Sequence, residues 1–324
     1  MTSRSAGRLS NDGQIRLLTK VARMYHERGI RQAEIADSLH LSQARVSRLL
    51  KRAAETGIVR TVVVVSQGVH TDLEEALEDR FGLLEALVVD VDGDDSDVVA
   101  GLGSAAATYL ETTLTGGERI GISSWSQTLL ATVDRMTPFR TSGADTVTQL
   151  LGGVGVSSAQ AQANRLLSEL AELIGAKPLF LPAPGLVSTA AIRKSLLVDA
   201  GIAAIAAEWR TLTMALVGIG SLPPSRLLQE SGNAVAPVDQ AALLAAGAVG
   251  DVCHRFFDPA GKPVRSQLDT RVVGIDPVTF RAIPRRIGLA GGTSKHRAIR
   301  AAVAGGWVNV LLTDIATARS LLAE

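Results

Sequence analysis

From Leu84 to the C-terminus, short apolar runs alternate with amphipathic helical stretches, and this alternation is the strongest constraint on the fold. It predicts a parallel sheet that is covered by helices on both faces. The strands are expected at residues 85–91, 119–123, 145–151, 177–181, 214–219, 272–275, 286–290 and 308–313, with residues 250–257 adding one more outside the parallel core. Ligands of such sheets bind beyond the carboxyl ends of the strands, so the turns there are where a binding site is expected.

The segment from Arg31 to Arg60 has a different pattern. Apolar residues recur at helical spacing on either side of a short break at His40 and Leu41, which predicts a helix-turn-helix. Ser42 is placed to cap the second helix, Gly57 to end it, and residues 58–65 to form a wing strand. In this motif the second helix lies in the major groove of DNA. The DNA-binding candidates are Gln32, Ser42, Gln43, Arg45, Ser47, Arg48, Lys51 and Arg52. The alternative is an ordinary amphipathic helical hairpin with a solvated basic face.

The formal net charge of +1 conceals an asymmetry along the chain. Residues 1–60 hold 12 Lys and Arg against 5 Asp and Glu, whereas residues 61–324 hold 21 against 27. A basic N-terminal part joined to an acidic remainder is typical of a nucleic-acid-binding module attached to a partner domain. We therefore expect a DNA-binding domain over residues 1–66 and a larger domain over residues 67–324.

Cysteine content and hydropathy exclude several classes of protein. The single cysteine, Cys253, excludes an intramolecular disulfide, and no group of Cys and His has the spacing of a zinc site. No metal or cofactor is expected. The N-terminus lacks the apolar core of a signal peptide, and no stretch approaches the roughly 18 apolar residues of a membrane span. A cytoplasmic protein without membrane contact is the expectation.

Two turns that follow predicted strands are rich in small residues. The turn at residues 121–128, G-I-S-S-W-S-Q-T, opens a helix, and its hydroxyls and free N–H groups suit an anion such as phosphate or simply cap the helix. The turn at residues 151–158 contains Gly152 and Gly153 and leads into a helix with Gln162. Adjacent glycines allow a backbone to approach a ligand closely, although they are also common in loops that bind nothing.

A third turn, residues 288–295, ends a strand in a double glycine that Thr293, Ser294 and Lys295 follow. Its amides, hydroxyls and ammonium group predict an anion site, because a lysine at a helix start opposes the helix dipole unless it meets an anion. Asp251 is either a hydroxyl acceptor or a structural pairing group. The nearby Cys253 is expected to be a buried thiol. Residues 101–106 match G-x-G-x-x-A, but a polar stretch separates them from the preceding strand, which favours helix packing over a nicotinamide site.

The chain resembles the SorC family of bacterial transcriptional regulators from about Gly13 onward, in motifs that occur in register: Q-A-E-I-A-D-S-L-H-L-S-Q-A-R-V-S-R-L-L-K, G-I-S-S-W-S-Q-T-L, L-G-G-V-G, A-L-V-G-I-G-S-L, G-D-V-C-H-R-F-F-D and A-G-G-T-S-K-H-R-A-I-R-A-A-V. The resemblance implies an α/β protein in which a winged helix-turn-helix precedes a Rossmann-like sugar-phosphate-binding domain of the isomerase/deaminase type. It also implies a homodimer or homotetramer on palindromic or repeated operator DNA, with a phosphorylated sugar as effector.

The resemblance also implies a set of effector-binding residues. It assigns contacts with the phosphate to Ser123, Trp125, Ser126, Gln127, Gly292, Thr293 and Lys295. Gly152, Gly153 and Gln162 would line the sugar, and Asp251 would accept hydrogen bonds from its hydroxyls. The chain departs from the family where relatives often have a Trp-Gly or Gly-Gly pair before the helix, because Trp125 lies between two serines. The predicted function is a sugar-phosphate-responsive regulator of a carbohydrate-metabolism operon and not an enzyme. The alternative is a sugar-phosphate isomerase or deaminase with a DNA-binding head, although the cleft loops contain no obvious Asp–His or Glu–His pair for general base catalysis.

Overall fold

The chain divides into two units, Met1–Val64 and Val65–Glu324, which are described separately. The structure is a computed structural model and describes residues 3–59, 68–91 and 93–323. Among the described residues, the first unit contains three helices: α1 (Ser3–His26), α2 (Gln32–Ser38) and α3 (Gln43–Glu55).

The three helices enclose a small apolar core. Val21 of α1, Ile35 of α2 and Val46 of α3 are each 0% exposed and belong to one cluster. Ser42 accepts a hydrogen bond from the Arg45 N–H at 3.3 Å, which confirms the predicted cap of α3. Gly57 follows the end of α3 with φ +74°, a conformation that glycine adopts without strain. The predicted wing lies outside the described residues except for its first two positions.

The second unit is built on a seven-stranded parallel sheet in the order β1-β10-β9-β5-β2-β3-β4. Three further strands form an antiparallel sheet in the order β6-β7-β8. The strands are β1 (Glu85–Val89), β2 (Glu118–Ile122), β3 (Ala144–Gln149), β4 (Lys177–Leu179), β5 (Met214–Gly218), β6 (Gly220–Ser221), β7 (Gly250–Val252), β8 (Arg255–Phe257), β9 (Arg285–Leu289) and β10 (Val310–Asp314). The mixed α/β class and the mostly parallel sheet are thus confirmed.

Helices cover both faces of this sheet. In the described part of the second unit the helices are α4 (Thr71–Phe81), α5 (Asp95–Thr113), α6 (Gln127–Val133), α7 (Ser157–Leu173), α8 (Ala190–Val198), α9 (Ala200–Glu208), α10 (Arg226–Glu230), α11 (Pro237–Ala245), α12 (Pro277–Arg281), α13 (His296–Ala304) and α14 (Ile315–Ala323). Within the described part of the chain, no helix is both long and apolar enough to cross a lipid bilayer.

The central strand β5 shows why the interior has two layers. Met214 and Leu216 pack into one apolar cluster, whereas Ala215 and Val217 pack into another. Because successive side chains of a strand point to opposite faces, the two clusters lie on the two sides of the sheet. All four residues are at most 2% exposed, as expected for an interior strand of a parallel sheet.

One predicted strand of the parallel sheet is wrong. Residues 272–275 are apolar and buried, but they form only isolated antiparallel bridges, Leu186 to Val272 and Leu151 to Gly274. An apolar run of four residues predicts burial and does not specify which partner the backbone pairs with. The predicted extra strand at residues 250–257 is instead the β7–β8 hairpin, which does lie outside the parallel sheet.

Candidate functional site

A cavity of about 710 Å³ lies at the carboxyl ends of β2, β5 and β9. The chain adds β3 and β4 on one side of β2 and places β5, β9 and β10 on the other, so the strand order reverses between β2 and β5. Ligands of open α/β sheets bind at such a switch point. The topology of this sheet therefore points to the same cavity as the predicted turns.

The turn after β2 supplies three buried hydroxyl groups, from Ser123, Ser124 and Ser126. The Ser123 hydroxyl accepts a hydrogen bond from the Gly218 N–H at 3.3 Å, which ties the β2 turn to the end of β5. The Ser124 hydroxyl donates to the Leu151 carbonyl at 2.8 Å, and Ser126 caps α6. These internal hydrogen bonds hold the turn in place at the cavity wall.

Trp125, in the middle of this turn, is half-buried and packs against the core. Its indole N–H is buried and has no hydrogen-bond partner in the protein. Because indole nitrogen is a donor only, this group is available to an acceptor atom of a ligand.

The turn after β9 is fixed by a buried carboxylate. Asp314 is 1% exposed; its carboxylate accepts hydrogen bonds from the Gly292 N–H at 2.8 Å and from the N–H and hydroxyl of Thr317. Burial opposes ionisation, but these hydrogen bonds outweigh it and lower the pKa of Asp314 below its ordinary value. A Cβ at Gly291 would lie 2.3 Å from this carboxylate, so the close approach requires glycine. The turn delivers Lys295 to the cavity.

Lys295 lines the cavity together with Asp95 and Asp251. Burial lowers the pKa of Lys295, and the two carboxylates oppose that shift. Burial also raises the pKa of Asp251 to about 6, although the hydrogen bond from the His254 N–H at 2.9 Å and the charge of Lys295 act in the other direction. The cavity therefore presents a cation and a carboxylate that are both poorly solvated, a pair suited to a ligand with an anionic group and hydroxyls.

Three further chain segments complete the cavity wall. They are the N-terminus of α5, the β5–β6 turn and the segment that enters α10, and they contribute Asp95, Ser96, Gly218, Gly220, Ser221, Ser225 and Leu228. Of these segments, only the β5–β6 turn has a local sequence signal, the G-I-G of the A-L-V-G-I-G-S-L motif. The others reach the cavity through tertiary contacts that leave no local pattern.

The structure brings six of the predicted effector-binding residues together in this cavity: Ser123, Trp125, Ser126, Gln127, Asp251 and Lys295. Gly292 and Thr293 instead line a neighbouring cavity of about 540 Å³ with Asp94, Asp95 and Asp314. Gln162 is exposed on α7 and does not line either cavity.

Gly152 and Gly153 also lie outside both cavities. A Cβ at Gly152 would come within 2.4 Å of the carbonyl oxygens of Ala183 and Pro184, and one at Gly153 within 2.5 Å of the Gln149 amide nitrogen. In this turn the glycines allow the backbone to pack against neighbouring segments of the same chain. Leu151 is the residue of the turn that reaches the main cavity.

The described residues contain no group of three or more His, Cys, Asp or Glu side chains arranged to hold a metal ion.

The candidate DNA-binding residues are on the surface of the first unit. All of those on α3, together with its cap Ser42, are exposed, whereas Val46, Leu50 and Ala53 of the same helix face the core. Gln32, at the start of α2, is only partly exposed. The helix therefore presents a basic face to solvent and an apolar face to α1 and α2.

Comparison with known proteins gives matches over almost the whole chain. The family described as "Putative sugar-binding domain" matches residues 66–323. The chain is 32% identical to the deoxyribonucleoside regulator of Bacillus subtilis over 309 residues, 95% of this chain and 97% of that protein. It is 30% identical to the sorbitol operon regulator of Klebsiella pneumoniae over 317 residues, 97% of this chain and 100% of that protein. The crystal structure of the full-length regulator SorC from Klebsiella pneumoniae matches with a TM-score of 0.71 and 28% identity, covering 95% of this chain and 99% of that one.

Proposed function

Because the chain belongs to the SorC family of transcriptional regulators, we propose that it is a DNA-binding regulator of a carbohydrate-metabolism operon whose effector is a phosphorylated sugar. The observation that carries the proposal is the cavity at the switch point, where Lys295, the serine-rich β2 turn and Asp251 meet. The ammonium and the turn would bind the phosphate, and the carboxylate would accept hydrogen bonds from sugar hydroxyls. Residues 1–66 would form the winged helix-turn-helix and residues 67–324 the Rossmann-like effector domain.

The regulation would follow from linkage. In a homodimer or homotetramer, an effector that binds one quaternary arrangement better than another changes the affinity for paired operator sites. Two-fold symmetry would require a palindromic or repeated operator. The relatives are named as regulators of a sorbitol operon and of deoxyribonucleosides, which supports a sugar-responsive role for this chain.

A thermal-shift series tests the effector site. Ribose 5-phosphate, glucose 6-phosphate, fructose 6-phosphate and sorbitol 6-phosphate are compared with their unphosphorylated forms, since a ligand that binds only the folded state stabilises it by about 2.7 kcal/mol at a concentration of 100 Kd. We expect a shift with phosphorylated compounds only, and its loss in Lys295→Ala. The control is Lys262→Ala, which removes a lysine side chain that is exposed and outside the cavity. An equal response to unphosphorylated sugars, or a normal response in Lys295→Ala, would refute the phosphate assignment.

The DNA-binding face is tested separately, on operator duplexes selected from a randomised library. Arg48→Ala is expected to cost about 1–3 kcal/mol of binding free energy and to reduce the preference for the selected sequence. Lys51→Ala should weaken binding to all duplexes alike and reduce the slope of log K against log salt concentration by about 1. The control is Lys20→Ala, an exposed lysine on α1 in the same unit. If Lys20→Ala loses binding while Arg48→Ala and Lys51→Ala keep it, the DNA does not bind at α3.

A second candidate function, a sugar-phosphate isomerase or deaminase, is favoured by one observation. Asp251 lines the same cavity as Lys295, and burial raises its pKa to about 6; a carboxylate with a raised pKa can act as a general base near neutral pH. Turnover of the same four sugar phosphates by the purified protein, abolished in Asp251→Asn, would establish this function. Binding without turnover favours the regulator.

A further inference from the structure

The tip of the β7–β8 hairpin has an uncommon backbone. Val252 pairs with Arg255, so Cys253 and His254 form a two-residue turn, and their φ angles are +52° and +59°. Turns with two positive φ angles favour Asn-Gly or Gly-Gly, because other L-residues are strained there. Residues held in such conformations cluster at ligand-binding and active sites.

Several contacts hold this turn in its strained form. The Asp251 carboxylate accepts a hydrogen bond from the backbone N–H of His254. That carboxylate also lies against the backbone of Gly220, where a Cβ would be only 2.1 Å from it. Arg255, 4% exposed, donates to the carbonyls of Ile275 and Gly274. The His254 ring also stacks on Phe256, with the ring planes 7° apart. The imidazole is therefore held in one position at the cavity wall.

His254 is 2% exposed, and its Nε2 atom is buried with no hydrogen-bond partner in the protein. Seven buried side-chain polar atoms lack a partner among the described residues, and two of them belong to residues that line the main cavity. These two are Nε2 of His254 and Nε1 of Trp125. Because buried polar groups are normally paired, two such atoms at one cavity point to a ligand that pairs with them.

The chemistry of the two atoms is complementary. Burial lowers the pKa of His254 to about 4, against a hydrogen bond to the backbone of Asn233, so the imidazole is neutral near pH 7. A neutral imidazole has one N–H and one acceptor nitrogen. The Asn233 backbone raises the pKa of His254, so it accepts from the ring; because Nε2 has no partner in the protein, we assign that donor to Nδ1 and the acceptor to Nε2. Trp125 Nε1 is a donor only. Nε2 of His254 is thus an acceptor that the predicted site did not include, and the cavity offers it together with the unpaired donor of Trp125.

Building on the proposed sugar-phosphate site, we propose that His254 is a specificity-determining residue whose Nε2 accepts a hydrogen bond from one effector hydroxyl. The ligand class that this selects is a sugar or polyol phosphate that keeps that hydroxyl, in preference to its deoxy analogue. The strained turn positions the acceptor, and the effector oxygen that meets Trp125 Nε1 completes the pairing.

The test uses the full chain and the sugar phosphate of the four above that binds the wild type most tightly. Its Kd and those of its monodeoxy analogues are measured by titration calorimetry for the wild type and for His254→Gly. Glycine adopts φ +59° without strain, so this variant is expected to fold. In the wild type, removal of one particular hydroxyl should weaken binding about tenfold, since it leaves a buried acceptor unpaired. In His254→Gly the parent compound and that analogue should bind equally.

Two further variants separate a specific hydrogen bond from a general loss of packing. His254→Asn tolerates the left-handed backbone and keeps an acceptor oxygen, so it should recover part of the discrimination. Cys253→Gly removes the neighbouring strained residue and keeps the imidazole, so the tenfold discrimination should persist.

The proposal is overturned if the wild type and His254→Gly show the same ratio for every analogue, including the case in which all compounds weaken by one common factor. If none of the four sugar phosphates binds the wild type, the proposed function fails first and the role of His254 falls with it. Binding to the wild type without discrimination that depends on His254 refutes only the present inference.

Discussion

Replacing Asp251 with Asn should stabilise the protein near neutral pH and weaken its effector binding. The pKa of Asp251 is raised by burial from 3.8 to about 6, so the folded protein binds this proton more tightly than the unfolded chain. The free energy of unfolding therefore falls as the pH rises from about 4 to about 6, and the full penalty is present above that window.

The size of the effect follows from the shift. Roughly 2 pKa units correspond to about 3 kcal/mol, and because Asp251 retains some exposed surface, screening reduces the expected gain to about 1–3 kcal/mol. Asn removes the charge while its side-chain oxygen can still accept the His254 N–H. The gain should be present near pH 7.5 and absent near pH 4.

Urea unfolding followed by tryptophan fluorescence measures this change, because all three tryptophans, at positions 125, 209 and 307, lie in the second unit. The control is Asp276→Asn. Burial, the largest influence on the pKa of Asp276, is outweighed by hydrogen bonds from Thr279 and Val278 that lower it. That substitution should destabilise the protein near neutral pH, with the difference disappearing in acid. A gain for Asp251→Asn that is equal at both pH values, or a loss near pH 7.5, would refute the reasoning.

Three substitutions test the packing and capping around the two sites. Gly103→Ala should lower the free energy of unfolding by about 1–3 kcal/mol, and with it the urea midpoint, because its Cβ would lie 2.8 Å from the backbone of Ala131 in α6. An unchanged midpoint would contradict this contact. Ser42→Ala should cost the N-terminal unit about 1 kcal/mol in a melt followed by circular dichroism, and Ser42→Asn should restore it. Asp314→Ala should cost about 1–3 kcal/mol for each donor left unpaired, Gly292 N–H included; a smaller loss than in Gly103→Ala would argue against its role in fixing the β9 turn.

The sequence predicts the parallel sheet because buried strands in such sheets read as apolar runs with helices between them. Seven of the eight strands expected in that sheet are present at or within a few residues of their predicted positions, and residues 272–275 are the exception. Strand position is encoded locally, whereas the choice of backbone partner depends on tertiary packing. This is also why the cavity wall near Ser225 and Leu228 was not predicted.

The sequence predicted the candidate site best where a turn follows a strand that ends at the cavity. Ser123, Ser126 and Lys295 line the cavity because β2 and β9 end there. The glycines were less informative, since a glycine that lets backbone approach a ligand and one that lets backbone approach backbone look the same in a sequence. Gly152 is of the second kind. His254 was not predicted at all, because its φ of +59° and its unpaired Nε2 are visible only in the structure.

Three energetically unfavourable features meet in the one cavity: the carboxylate of Asp251, the left-handed backbone at His254 and the unpaired indole N–H of Trp125. Each of these features costs folded-state stability, so their concentration at the switch point is better explained by a ligand that pairs with them. Binding energy gained there is specific to the folded state and adds to its stability. Relieving the buried charge, as in Asp251→Asn, should thus weaken effector binding without lowering stability in the absence of effector, whereas substitution of a residue that only packs should lower both.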